Sequence, residues 1–190
     1  MMPQLRCAAA RIESRFVAEQ TDGGDRAPVP DIELRMEHSG PLDGLDRMRA
    51  SLFFAQVSRI SYLQPHAAEA YTPRLGVSLE HFADRDGAQA YLFGNESDVV
   101  VACRGTEPDD WNDVKADVNA FMVLAETVGR VHRGFKREVD DLWPQLGKLI
   151  ANERRNLWFT GHSLGGAMAT ICAGRCFLAH IPAMPKAVYT

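Results

Sequence analysis

The chain has 190 residues, of which 46% are hydrophobic and 24% charged, and its formal net charge is −4. This length and composition suit one folded domain and argue against disorder over most of the chain. The acidic balance provides no basic face for nucleic acid or for an anionic membrane. Because no apolar run reaches the roughly 18–20 residues of a membrane span and no signal-peptide pattern is seen, we expect a cytoplasmic protein. Secretion would require a true start upstream of Met1.

The cysteines give no sign of metal or redox chemistry. Cys7, Cys103, Cys172 and Cys176 form no CxxC pair, and the sequence has no HExxH motif, so neither a metal nor a cofactor is expected. Cys172 and Cys176 are four residues apart, and we expect both to pack under one helix.

Residues 1–44 contain the run TDGGDRAPVPD, whose glycine, proline and aspartate are typical of turns and linkers. This predicts a flexible N-terminal extension, in which residues 8–20 could still form a short helix. The folded domain is then expected to cover residues 45–190.

The first elements of that domain follow from hydrophobic spacing. Apolar residues recur at close to helical spacing from residue 45 to residue 63, which predicts an amphipathic helix that ends near Pro65. The apolar residues at this spacing are Leu45, Met48, Leu52, Phe53, Val57, Ile60 and Leu63. The apolar runs at 90–93 and 99–103 predict a hairpin, and the second run, VVVAC, suits a central strand buried on both faces.

Helices and strands alternate in the second half of the chain. Residues 136–153 predict a helix that Pro144 kinks or divides. A buried strand at 157–160, an apolar helix at 164–180 and a further strand at 186–190 follow. This alternation predicts an α/β fold with a mostly parallel sheet.

The sequence Gly161-His162-Ser163-Leu164-Gly165 fits the pattern G-x-S-x-G and lies between a predicted strand and a predicted helix. In that context the serine sits on a sharp turn, and its flanking glycines avoid the collisions that a Cβ would cause. The start of the following helix favours an oxyanion. Ser163 is therefore a candidate nucleophile, the alternative being a plain helix N-cap.

A second segment, VVVACRGTEPDDW, passes from the predicted central strand directly into Arg104-Gly105-Thr106. Acyl-transfer sites of this kind take one oxyanion donor from the residue after the nucleophile and one from a loop after an earlier strand. Leu164 and Thr106 are the candidates.

Together with VHRGF (131–135) and LWFTGHSLGGAMATICA, these segments resemble the class 3, or fungal-type, lipase family over roughly residues 50–190. The resemblance implies an α/β-hydrolase fold, hydrolysis of lipid esters, Ser163 as nucleophile, and Thr106 and Leu164 in the oxyanion hole. It implies a lid within residues 107–129, with Trp111 as a lid candidate, and a structural role for His132. Transient contact with a lipid surface is expected.

The triad of this fold runs serine, then aspartate or glutamate, then histidine along the chain. Residues 164–190 contain no aspartate or glutamate, and their single histidine is His180. If 164–180 is helical, His180 lies about 25 Å from Ser163 and does not suit the base. We therefore expect a C-terminally truncated hydrolase domain, incomplete in its sheet, with little or no esterase activity alone.

Three interpretations remain open. The first is a serine carboxylester hydrolase of the triacylglycerol lipase type. The second is a related enzyme such as a phospholipase, a diacylglycerol lipase or an acyltransferase. The third is a degenerate, non-catalytic fragment that binds lipid or protein.

Overall fold

The computed structural model describes residues 28–105, 122–125, 129–180, 182 and 184–190. Cys7 and the short helix predicted at 8–20 lie outside these residues. Within them, no helix is both long and apolar enough to cross a membrane.

A five-stranded sheet forms the centre of the described chain, in the order β1-β2-β3-β6-β7. Its strands are β1 (Ser78–Arg85), β2 (Ala88–Gly94), β3 (Asp98–Cys103), β6 (Asn156–Gly161) and β7 (Pro185–Tyr189). The β1–β2 and β2–β3 pairs are antiparallel, whereas β3–β6 and β6–β7 are parallel, so only β2 runs against the common direction. A separate antiparallel hairpin consists of β4 (Met122–Leu124) and β5 (Arg130–His132).

Strand β3 is central, as predicted, and all six of its residues are buried. Its side chains alternate between two cores, as the strand period of two requires. Val99, Val101 and Cys103 belong to the core on one face of the sheet, while Val100 and Ala102 belong to the core on the other.

Helices cover both faces of the sheet. The helices are α1 (Arg47–Ile60), α2 (Pro65–Glu69), α3 (Arg133–Ile150) and α4 (Leu164–Leu178), with short 3₁₀ turns at Leu42–Gly44 and Thr72–Leu75. Helix α1 packs on one face through Phe53, Phe54 and Val57. Helices α3 and α4 fill the other face. The architecture is thus a three-layer α/β arrangement.

Pro65 lies beyond the end of α1, as predicted, and occupies the first turn of α2, where its missing N–H costs no hydrogen bond. Met48 differs from the predicted amphipathic pattern, because it is 79% exposed in the first turn of α1. Pro144 does not divide α3, which continues through it as one helix of 18 residues.

Residues 28–44, the described part of the predicted flexible extension, pack against the domain. Ile32, Leu34 and Leu42 are buried in the same core as α1. The Leu42 N–H donates to the buried Asp98 carboxylate at 2.9 Å. The packing therefore shows no boundary at residue 44.

Candidate active site

The turn between β6 and α4 holds Ser163 in an unusual backbone conformation. Strand β6 ends at Gly161 and α4 begins at Leu164, while Ser163 has φ 58° and ψ −125°. A positive φ is strained for a residue with a Cβ, and such strain is concentrated at functional sites. The Ser163 side chain is exposed and makes no capping hydrogen bond to α4. This geometry disfavours the plain N-cap alternative and leaves the hydroxyl open to a ligand.

Two glycines permit the close packing of this turn. A Cβ on Gly161 would overlap the carbonyl of Gly165 and lie 2.8 Å from the Gly166 nitrogen. A Cβ on Gly165 would overlap the Cys103 carbonyl and lie 2.9 Å from the Gly105 nitrogen. The start of α4 therefore touches the end of β3, because neither position carries a side chain.

The first turn of α4 offers a donor at the predicted position. Gly165 donates to the His162 carbonyl at 3.0 Å, and Gly166 and Ala167 donate to the Ser163 carbonyl at 3.0 and 3.3 Å. The Leu164 N–H is not part of these bonds, and the first N–H groups of a helix have no acceptor within it. The other predicted donor, Thr106, lies outside the described residues. Its neighbours Arg104 and Gly105 do lie beside the turn.

Arg104 is anchored to β2 at both ends. Its N–H donates to the Gln89 carbonyl at 2.9 Å, and its Nη1 donates to Gln89 Oε1 at 2.9 Å. These bonds direct the chain that leaves β3 toward Ser163.

Two cavities adjoin the turn. One, of about 400 Å³, is lined by polar groups that include Arg104, Gln89 and Glu138, and it reaches Leu164 and Gly105. Burial, with a further contribution from Asp141, raises the pKa of Glu138. The other cavity, of about 410 Å³, is mostly apolar and lies between α1 and the ends of β6 and β7.

The histidines named in the sequence analysis are placed differently from one another. His132 caps α3, because its Nδ1 accepts the Gly134 N–H at 3.2 Å, and its ring packs on Phe135. His162 is exposed beside Ser163, and its Nδ1 lies 3.3 Å from the Tyr62 hydroxyl. His180 follows the C-terminal end of α4, at the opposite end of the helix from Ser163.

The predicted lid segment is only partly described. Trp111 lies outside the described residues. Within the described part, the β4–β5 hairpin exposes Met122 by 50% and Leu124 by 63%. These apolar side chains are open to solvent close in sequence to the site.

Cys103, Cys172 and Cys176 are buried free thiols in the core beneath α4. A hydrogen bond with Cys103, together with burial, raises the pKa of Cys172. Burial raises the pKa of Cys176 to about 12. The expected packing of Cys172 and Cys176 under one helix is confirmed, and these protonated thiols are unreactive. In the described ranges no His, Cys, Asp or Glu side chains cluster closely enough to hold a metal ion.

The sequence analysis did not identify Tyr62 as part of this region. It directly follows the C-terminal end of α1, and it contacts both Arg104 and His162. An isolated tyrosine at a helix end follows no pattern, so only the fold reveals this proximity.

Residues 100–189 match the family model described as lipase (class 3). The chain is also similar in structure to the triacylglyceride lipase of Rhizomucor miehei, with a TM-score of 0.60 and 18% identity over 69% of this chain and 55% of that one. The lipase from Rhizopus microsporus var. chinensis is similar with a TM-score of 0.62 and 18% identity, over 86% of this chain and 62% of that one.

A third structure is a triacylglycerol lipase described as having a serine protease triad at its catalytic centre. It gives a TM-score of 0.56 with 18% identity, over 70% of this chain and 56% of that one. No curated protein matches the chain. The chain thus spans somewhat over half the length of the solved lipases that it resembles, and the predicted α/β-hydrolase fold is confirmed.

Proposed function

We propose that this chain, whose residues 100–189 match the class 3 lipase family model, is built for serine carboxylester hydrolysis of the triacylglycerol lipase type, with Ser163 as nucleophile. The observation that carries the proposal is the strained, exposed Ser163 between β6 and α4, packed against the loop after β3.

In the proposed reaction the Ser163 hydroxyl attacks the ester carbonyl and its proton passes to a base. The carbonyl oxygen becomes an oxyanion, which the Leu164 N–H and the Thr106 N–H would stabilise. Collapse of the intermediate releases the alcohol and leaves an acyl-enzyme on Ser163. Water then attacks the acyl group, releases the fatty acid and restores the serine.

Among these 190 residues, Ser163 is a candidate nucleophile, but no histidine or carboxylate is identified that would activate it. Residues 164–190 contain no carboxylate side chain, and His180 lies at the far end of α4. Removing triad members leaves roughly 10³–10⁴-fold acceleration over water, which comes from the oxyanion hole and substrate binding. We therefore expect these residues alone to hydrolyse esters weakly or not at all.

The substrate class proposed is a lipid ester presented at a lipid surface. The exposed Met122 and Leu124 supply apolar contacts of the kind that such a surface requires.

The test measures hydrolysis of p-nitrophenyl esters of several chain lengths. It compares the chain, its Ser163→Ala variant and the protein produced together with the sequence that follows Thr190 in its gene. Turnover that disappears with Ser163→Ala but survives Ser39→Ala, the matched change at an exposed serine away from both cavities beside the turn, supports the proposal. Turnover that is unaffected by Ser163→Ala, or absent from every form, would overturn it.

The second candidate is a non-catalytic fragment that binds esters or lipids. The observation that favours it is the mostly apolar cavity of about 410 Å³ beside the Ser163 turn, which offers room for an apolar chain. It predicts saturable binding of a lipid ester by both the chain and its Ser163→Ala variant, with no release of acid from either.

A further inference from the structure

Tyr62 lies between the two backbone segments that would carry the oxyanion donors. Its hydroxyl is 3.3 Å from His162 Nδ1 and 3.4 Å from the His162 carbonyl oxygen, so it reaches the turn that holds Ser163. On the other side, the Arg104 guanidinium lies over the Tyr62 ring, 5.9 Å from its centroid. One side chain thus contacts both the turn and the loop after β3.

The fit around Tyr62 also accounts for the glycine in the loop after β3. A Cβ on Gly105 would overlap the Tyr62 hydroxyl and would lie 2.6 Å from the His162 carbonyl oxygen. Gly105 is therefore enclosed between Tyr62 and the turn. Any side chain at this position would push the two segments apart.

The backbone around Tyr62 is itself held in place. The Tyr62 N–H donates to the Arg59 carbonyl at 3.3 Å, which continues the end of α1. The next carbonyl, that of Leu63, accepts the Tyr91 hydroxyl at 2.6 Å from β2. Tyr62 is thus presented from a fixed part of the fold.

We propose that Tyr62 is a positioning residue that fixes the separation and orientation of the loop after β3 and the Ser163 turn. The inference rests on the proposed function for its catalytic meaning. The His162 carbonyl accepts both the Tyr62 hydroxyl and the Gly165 N–H, the latter at 3.0 Å. Because Leu164 lies between His162 and Gly165, Tyr62 acts directly on the backbone that orients the Leu164 N–H.

The test compares the chain with its Tyr62→Phe variant by NMR. Amide exchange at Gly165 is expected to become about 3–10-fold faster, the range given by the loss of one ordinary hydrogen bond. The ¹⁵N chemical shifts of the His162 ring are expected to change as well, because the ring loses its contact with the Tyr62 hydroxyl. A general loss of stability would not be confined to Gly165 and this one exposed ring.

Tyr71→Phe is the matched control, because it removes a hydroxyl that binds Pro30 and Ile32 instead. It is expected to leave Gly165 exchange and the His162 ring shifts unchanged. The proposal is overturned if Tyr62→Phe leaves Gly165 exchange unchanged, or if Tyr71→Phe accelerates it equally.

These readouts require no turnover, so they separate the positioning role from the proposed function. If Ser163→Ala shows that Ser163 is not a nucleophile, the exchange result still decides whether Tyr62 holds the two segments. Conversely, unchanged exchange removes the role of Tyr62 without affecting the Ser163→Ala result.

Discussion

Backbone strain at Ser163 has a cost that a substitution can measure. Its φ of 58° with ψ of −125° is easily adopted by glycine but not by a residue with a Cβ. Ser163→Gly relieves strain of about 1–3 kcal/mol. It also adds about 0.5–1 kcal/mol of backbone entropy cost on folding.

We therefore expect Ser163→Gly to raise the free energy of unfolding by about 1 kcal/mol, as measured by urea denaturation. Ser163→Ala is the matched control, because it removes the same hydroxyl but keeps the Cβ and hence the strain. Equal stability of the two variants would limit the strain to the entropy cost of glycine, about 0.5–1 kcal/mol, which is below the expected range.

At the same scale, Ser163 and Leu164 are candidates that the sequence alone supplies, because their pattern is local. The spacing of Gly161, Ser163 and Gly165 between a strand and a helix is readable from consecutive residues. Tyr62 is about a hundred positions away from His162, and their contact depends on how α1 packs over the sheet. No local pattern contains that information.

Among the elements, buried strands were more predictable than exposed ones. Strands β2, β3 and β6 are apolar runs, and all three were predicted. Strand β1 was missed because most of its residues are polar and exposed or half-buried. A signal was present in Asp86-Gly87, whose positive φ values of 52° and 91° form the tight turn from β1 to β2. Such an Asp-Gly pair is a strong hairpin indicator.

Helix α3 shows tertiary packing overriding a local preference. Pro144 removes one helical hydrogen bond and disfavours a helix interior by about 3 kcal/mol. The helix nevertheless continues, with Val139, Leu142, Leu146 and Ile150 buried on one face. The burial of this face compensates for the cost of the proline. The local sequence around Pro144 shows that cost but not the stabilisation from packing.

Arg155 joins three elements through an ion-pair network. Its guanidinium contacts Glu80 on β1 at 2.6 Å, Glu153 before β6 at 2.7 Å and the Asn95 carbonyl of the β2–β3 turn at 3.0 Å. Hydrogen bonds from the Arg155 side chain are the main reason that the pKa of Glu153 falls to about 2, against partial burial, which raises it.

This lowered pKa makes the network sensitive to acid. The unfolded chain protonates Glu153 near its usual pKa of 4.5, whereas the folded chain keeps it ionised to about 2. The resulting stabilisation is fully present above pH 4.5 and is lost as the pH falls toward 2. We expect it to shrink by about 1 kcal/mol between pH 6 and pH 3.

The measurement is chemical denaturation of the chain and of Glu153→Gln at both pH values. The stability difference between them should be larger at pH 6 than at pH 3. Glu96→Gln, at an exposed glutamate, is the control and should show no such pH dependence. A pH-independent effect of Glu153→Gln would exclude the ionised network as its cause.

For the whole molecule, the main correction concerns the N-terminal part of the fold. Residues 1–44 are predicted to be a flexible extension because they contain the glycine-, proline- and aspartate-rich run TDGGDRAPVPD. In the described part of that segment, Ile32, Leu34 and Leu42 are nevertheless buried. The average composition of a segment does not reveal a few isolated apolar residues of this kind. These three residues pack in the same core as α1 and therefore belong to the fold that supports the candidate site.

Leu42 tests whether this segment belongs to the cooperative fold. The side chain is 2% exposed, and its N–H is bonded to the buried Asp98 carboxylate, which also accepts from Trp158 Nε1 at 2.8 Å. Leu42→Ala would leave a cavity next to α1 and is expected to lower the free energy of unfolding by about 2–4 kcal/mol. Leu124→Ala, at a leucine that is 63% exposed, should stay within about 0.5 kcal/mol of the unaltered chain. If unfolding occurs in a single transition and only Leu42→Ala lowers its free energy, residues 28–44 belong to the domain. Equal effects of the two variants would instead support the linker interpretation.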